Sequence, residues 1–575
     1  MKRLLVILSI ICLTSCKNEF DLYPPDKLSP ITSFNSESDL QLYANSFYNI
    51  LPTGSSIARS DVFSDYIVNS TVNPYLSGSY NSSQSGGWSW TALRNINYFL
   101  AHFNQADIPE ASLKHYEGLA RFFRAWFYFD KVKQFGGVPW YSDVLDVNDT
   151  EGLYKPRDSR EFVMSKILED LNFAAANINP NKDATASLIN KWVALGFKSR
   201  VCLYEGTFQK YQNGSLSSEW FTEAANAAEE VMNASGYQLN IESDLAMSYR
   251  NLFILEQPKT NEVMLATVNS QSLRVMNDAN WVFTSATYAG RPSFTKTFIN
   301  TFLMSDGTRF TDQSKYNEIP FWKEVENRDL RLKQTIRMSD YKREGILTPP
   351  EFVYTYTGYH PLKFTLDSKK TDGNAENSNS LPLMRYAEIL LNYAEAKAEL
   401  GIFNESDWNK TIRLLRARAG IDNSSMPVIA DTYLQNTHYP DISDPALLEI
   451  RRERGIELSL EGFRYDDLMR WKQGDLLLRP YDGIYVPSMD TPLDLNQDGK
   501  DDVAFVSSTP ANPVKGIFYY IVNGTQNRLS NGTSGILYTQ INLHREFKEF
   551  QYLRPIPLNE LTLNPALDQN PNWDN

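Results

Sequence analysis

The most chemically pointed spacing in the chain is Asp494-Leu495-Asn496-Gln497-Asp498-Gly499-Lys500-Asp501-Asp502. It sets oxygen side chains at loop positions 1, 3, 5 and 9, with a glycine at position 6 where a tight turn needs one. Hard oxygen donors gathered this way suit Ca²⁺, and the Lys500 carbonyl would add a further ligand. Position 12 is Phe505, so the usual bidentate glutamate is missing and a solvated Asp/Asn/Gly turn is the competing reading. Asp494, Asn496, Asp498, Lys500 and Asp502 are expected to hold a structural Ca²⁺ and to take no part in catalysis.

A second chemistry comes from aromatic residues in polar stretches. A pyranose is recognised by flat apolar faces against its C–H side, with amides, carboxylates or hydroxyls at the rim. Trp88 and Trp90 follow the Ser- and Gly-rich run Ser77 to Gly87. Trp281, Phe283 and Tyr288 precede Ala289-Gly290-Arg291-Pro292, Trp322 follows Pro320, and Tyr354 and Tyr356 alternate with Thr355 and Thr357. Each is a ligand-contact candidate, with local packing as the alternative.

Bond-breaking chemistry finds less support. A glycoside hydrolase needs two carboxylates across a cleft, and with 69 acidic residues such pairs are available everywhere and decide nothing. The five histidines form no H-E-x-x-H motif, and neither a G-x-S-x-G elbow nor a phosphate-binding glycine loop occurs. The cluster Arg451, Arg452, Glu453, Arg454, Glu457 and Glu461 reads as ion pairs locking one helix to its neighbours, as do Arg121 and Arg124 with Asp130. Trp126 and Trp471 read as core. The chain is expected to be a binding protein and not an enzyme, without a catalytic cofactor.

Residues 1–15 pair Lys2 and Arg3 with an apolar run, and Leu13-Thr14-Ser15-Cys16 has the form of a lipobox, which makes this stretch a lipoprotein signal peptide and Cys16 the lipidated residue. The run is too short to stay as a spanning helix, whereas several acyl chains make a stable anchor. Cys202 is then the one remaining cysteine, so no intramolecular disulfide can form. A net charge of −13 without basic clusters argues against nucleic acid as a partner.

The elements that must position these residues are mostly helices. Val163, Ile167, Leu171 and Ala174 fall on one face behind the start signal Asp158-Ser159. Further helices are expected over 119–134, 190–206, 221–233, 383–400, 408–419 and 446–460. Between them 74–87, 367–380 and 481–512 read as loops, and 516–522 and 535–541 as strands. Tyr393-Ala394-Glu395-Ala396-Lys397-Ala398-Glu399 has the small-residue face of a tetratricopeptide unit, although no clean repeat of that length is present.

Ordered blocks along nearly the whole chain resemble the SusD/RagB family of outer-membrane nutrient-binding lipoproteins. They include Arg94-Asn95-Ile96-Asn97-Tyr98, Gly118-Leu119-Ala120-Arg121-Phe122-Phe123-Arg124-Ala125-Trp126, Phe135-Gly136-Gly137-Val138-Pro139, Leu383-Met384-Arg385-Tyr386-Ala387-Glu388, Glu453-Arg454-Gly455-Ile456-Glu457-Leu458 and Asn564-Pro565. The resemblance implies one integrated, mostly α fold, with four tetratricopeptide-like helix pairs and a loop-rich ligand-binding part. An N-terminal SusD-like region would cover 16–240 and a C-terminal RagB/SusD region 241–575. It also implies a cell-surface, lipid-anchored outer-membrane protein that binds glycans and delivers them to a SusC-like TonB-dependent transporter. A peptide-binding member of the same system is the alternative, and a surface glycoside hydrolase a more distant one.

Overall fold

The computed structural model describes residues 34–573 except 216–217 and 422–423. Cys16 and the signal-like segment lie outside the described residues.

The architecture is mostly helical, with small sheets. Helix α1 (Glu37–Asn45) is followed by α2 (Thr91–His102), α3 (Glu110–Phe135), α4 (Arg160–Asn177), α5 (Lys191–Gln212) and α6 (Ser218–Ala234). Later in the chain come α7 (Tyr386–Glu399), α8 (Pro445–Glu457) and α9 (Arg464–Arg470). The long helices pack in a relay, α3 on α4, α4 on α5, α5 on α6, α6 on α7 and α7 on α8. Side chains at the start of α4 and α5 stop the chain from fraying: Ser159 accepts from the Phe162 amide, and Asn190 accepts from those of Trp192 and Val193. Close approach is sequence-encoded as well, since a Cβ at Gly206 would meet the Phe221 ring at 2.9 Å.

The main apolar core runs from Phe34 through the aromatic side of α3 to Leu448 and Ile450, with Trp126 and Trp471 inside it. A second core unites Tyr66, Ile67, Phe294, Phe298 and Val486. Both cores draw on residues before and after position 240.

Three local expectations change. The span 383–400 opens as strand β4 (Leu381–Arg385), paired antiparallel with β2 (Val263–Thr267), so its helix begins at Tyr386. The span 408–419 is broken at Thr411, whose φ of −130° and ψ of −89° are not helical. The polar stretch 481–512 contains β5 (Tyr481–Val486), β6 (Pro492–Leu493) and β7 (Val503–Val506), because Ile484, Val486, Val503 and Phe505 are drawn into the second core despite the surrounding Ser, Asn and Asp. Strand β8 (Phe518–Ile521) pairs parallel with β7, while β10 (Gly535–Thr539) lies between β5 and β9 (Arg528–Leu529).

The ion-pair reading of α8 holds. Glu457 receives Arg331 at 3.1 Å, Arg385 at 2.9 Å and Arg418 at 2.5 Å, and Glu453 receives Arg331 and Arg416. The pairing with Asp130 does not: Arg124 binds Asp170 at 2.7 Å, Arg121 binds Glu117, and Asp130 meets Lys133. Six or nine helical residues separate these arginines from Asp130 by about 9–14 Å along the axis, so Arg124 reaches the neighbouring helix instead.

Candidate functional site

The site is assembled by a short ladder between distant segments. Strand β1 (Ile67–Val68) pairs antiparallel with β3 (Ser293–Phe294), Ile67 opposite Phe294 and Val68 opposite Ser293. This draws the polar loop after Val68 against the loop before Ser293, and the Ser70 amide donates to the Gly290 carbonyl at 3.1 Å. Gly290 has φ +73°, and a Cβ there would stand 3.1 Å from Ser70 Oγ and 3.6 Å from Asn69 Oδ1, so the position favours glycine.

A cavity of about 400 Å³ opens between the two loops, lined among others by Phe63, Asn69, Asn73, Tyr288, Tyr481 and Arg545. Tyr288 is 43 % exposed, and its ring stacks on Trp281 with centroids 3.4 Å apart and planes 9° from parallel. The Arg59 guanidinium lies 5.1 Å from the Tyr288 ring and pairs with Asp278. Burial works against the Asp278 charge, but the Arg59 bonds win and hold its carboxyl below the usual range. Arg545 lies 3.8 Å from the Tyr481 ring and donates to the carbonyls of Leu477 and Arg479. Burial pushes its guanidinium down and Tyr481 partly restores it.

Asn69 is held in a fixed orientation in the wall of this cavity. Its Nδ2 donates to the Val62 carbonyl at 2.8 Å, which fixes the amide, while its Oδ1 is buried without a partner. An unsatisfied buried acceptor costs about 1–3 kcal/mol.

The other aromatic candidates are distributed differently. Trp88 and Trp90 line a separate cavity of about 390 Å³ together with Leu93, Leu145, Leu153 and Leu563. Trp88 is 7 % exposed and packs on Phe135, whereas Trp90 spends its ring on Phe127, Tyr128 and Tyr141. Its wall also carries Arg94, Asn97, Asp143, Glu560 and Asn564, and Asn97 Oδ1, like Asn69 Oδ1, is buried without a partner. Phe283 is 1 % exposed in the second core and offers no surface, which corrects its place among the candidates. Trp322 is half-buried in the turn Phe321–Glu324, Tyr354 lies beside His360, and Tyr356 is covered by Arg291 at 4.1 Å; none of the three lines either cavity. Asn69, Asn73 and Arg545 carry no sequence signal that singles them out, since the ladder that gathers them is long-range.

In the 494–502 loop the Asp494 carboxylate accepts the amides of Asn496, Asp498 and Gly499, and Asp502 accepts that of Leu495. Burial, then neighbouring carboxylates, push Asp502 up to about 6. These carboxylates lean on their own backbone, and the described residues hold no group of three or more His, Cys, Asp or Glu placed to hold a metal. Cys202 is buried, and burial pushes its thiol up, as for an inert structural cysteine. Among the described residues no helix is long and apolar enough to cross a membrane.

Comparison with known proteins places this geometry in context. The profile of the SusD family matches residues 269–573, and one described as "Starch-binding associating with outer membrane" matches 24–203. A SusD-like protein of Formosa agariphila is 23% identical over 507 residues, covering 84% of this chain and 93% of that protein. One of Bacteroides ovatus is 23% identical, covering 82% of each. Among solved structures, a SusD-like carbohydrate-binding protein of Bacteroides fragilis superposes with a TM-score of 0.69 at 20% identity, over 93% of this chain and 100% of that one. A second SusD-like protein of that organism gives 0.69 at 20% identity over 96% and 100%.

Proposed function

The chain belongs to the SusD family, and from that premise we propose that it is a lipid-anchored protein of the outer membrane that captures oligosaccharides at the cell surface and passes them to a TonB-dependent transporter. The observation that carries the ligand class is the cavity lined by the exposed Tyr288, whose ring stacks on Trp281, with Asn69, Asn73, Ser70 and Thr71 in the same wall. The exposed part of Tyr288 supplies apolar contact, and the Asn, Ser and Thr side chains of the lining suit sugar hydroxyl groups. The starch-binding description of the family matched over residues 24–203 and the carbohydrate-binding neighbour support the same class. Anchoring rests on the Leu13-Thr14-Ser15-Cys16 lipobox and transfer to a transporter on the family resemblance.

Binding without cleavage is the reading the cavity favours. Its lining residues include Asn, Ser, Thr, Tyr and one Arg but no Asp or Glu, and the common hydrolytic route needs two carboxylates across the sugar. The test is calorimetric titration with maltoheptaose, cellohexaose, xylohexaose and a peptide mixture, with chromatography of the same samples. Saturable binding of one sugar with no product is expected. Binding of peptide alone, or release of shorter sugars, contradicts the proposal.

A further inference from the structure

The Tyr288 cavity holds a charge that the fold does not cancel. Arg124 and Arg464 are buried against carboxylates, those of Asp170 and Asp65, each at 2.7 Å. Arg545, half-buried in the cavity lining, is held instead by the carbonyls of Leu477 and Arg479 and by the Tyr481 ring. Carbonyls and a ring orient a guanidinium without neutralising it. Glu546, the next residue, turns to Lys548 at 2.8 Å, and only Tyr481 works against the burial of Arg545. Two of the five guanidinium N–H groups are spent on the carbonyls, fewer than the side chain can offer.

The rest of the wall leans the same way. Its lining holds no Asp or Glu, and the charge of nearby Arg59 is already matched by Asp278. Asn73 Oδ1 is taken by the Tyr75 amide at 2.9 Å, so what this exposed amide has left is its Nδ2 donor, and Ser70 and Thr71 add hydroxyls. Arg291, next in the chain to the lining residue Gly290, is likewise held by carbonyls, those of Phe352 and Thr355. The chain as a whole carries −13, so a cavity whose one charged lining group is positive runs against the average. A guanidinium with no carboxylate of its own, among hydrogen-bond donors, suits an anionic group on the ligand.

We propose that the Tyr288 cavity selects acidic oligosaccharides, with the carboxylate of a uronic acid or the sulfate ester of a sulfated sugar set against Arg545 and a sugar face against Tyr288. The inference rests on the oligosaccharide reading of this cavity and narrows it to a substrate class.

The test titrates the full chain in detergent with maltoheptaose and cellohexaose, with forms of each carboxylated or sulfated at the primary hydroxyls, and with xylohexaose and its glucuronate-branched form. Hexaglutamate serves as the acidic peptide. At least one acidic sugar should bind about tenfold or more tighter than its neutral counterpart at about 50 mM NaCl, and about 500 mM NaCl should remove most of that advantage. Which anion gains the more, carboxylate or sulfate, names the source. Arg545→Gln, melting as a cooperative fold, should bring the ratio of acidic to neutral affinity down to about one. Hydrogen–deuterium exchange of residues 541–548 in the unmodified protein reads the same contact without a variant, and the acidic form should protect them more than the neutral one. Equal binding of neutral and acidic forms overturns the acidic preference and leaves oligosaccharide capture standing. An advantage that survives Arg545→Gln, or that brings no added protection of 541–548, overturns the placement at Arg545. Hexaglutamate bound more tightly than any sugar, or no sugar bound at all, overturns oligosaccharide capture and this inference with it.

Discussion

Helix α8 and the Tyr288 cavity are both rich in buried polar atoms, but they dispose of them in opposite ways. On α8 each carboxylate is saturated by cations: Glu457 by three arginines, Glu453 by two. In the cavity wall Asn69 Oδ1 has no partner at all. The first arrangement neutralises its carboxylates internally, although Arg451 Nε and Nη1 and Arg452 Nε stay without partners. The second leaves a buried acceptor unsatisfied at some cost in folding stability. The dense cluster of charges is thus internally neutralised, while the unpartnered amides Asn69 and Asn97 each stand in the wall of an aromatic-lined cavity.

The comparison is most strongly tested on α8. Glu457→Gln leaves three buried guanidinium groups short of a countercharge and should cost about 3–5 kcal/mol in denaturant unfolding, while the sugar affinity of the folded fraction stays unchanged. A loss of affinity in the folded fraction would mean that the network reaches the site. Gly290→Ala acts on the other region. It forces a residue with a side chain into φ +73° against Ser70 and should cost about 1–3 kcal/mol, and, unlike the α8 change, weaken sugar binding by tenfold or more.

Acid separates the two regions further. Burial alone would raise the Glu395 carboxyl, but Arg470, Arg454 and Arg451 hold it at about 2. A depressed folded-state value stabilises above the unfolded one, so this contribution is lost as pH falls from about 4.5 towards 2. The Tyr288 cavity has no acid or histidine in its lining, so binding should be flat between pH 5 and 8. An affinity that titrates in that range would place an unrecognised ionisable group at the sugar.

The smallest effect is expected in the 494–502 loop. A carboxyl raised to about 6 in the fold stabilises least once ionised, so stability should fall slightly as pH rises from about 4 to 6, and Asp502→Asn should abolish that slope. Ca²⁺ binding to this loop would show as a rise in melting temperature on adding the ion that Asp502→Asn removes.

How far the sequence could be read follows the range of the interactions. The long helices were legible because their apolar spacing is local, as with Val163, Ile167 and Leu171. Trp281, Phe283 and Tyr288 stood out only as aromatics in a polar stretch, and that composition did not distinguish the stacked pair Trp281 and Tyr288 from Phe283 in the core. Asn69 was not, because pairing of Ile67 with Phe294 is what carries it to the aromatic stack. Arg124 shows the same limit: a local reading selects Asp130, and the folded chain supplies Asp170 from the next helix. The strands within 481–512 escaped because their few inward residues are diluted by turn formers.

The most direct test of the account is calorimetric titration of the unmodified protein, Tyr288→Ala and Trp88→Ala with the best-bound oligosaccharide of the panel. The account predicts that Tyr288→Ala loses the site's binding while Trp88→Ala keeps it, both melting as cooperative folds. Binding unchanged in Tyr288→Ala and lost in Trp88→Ala would contradict it and move the sugar to the leucine-lined cavity.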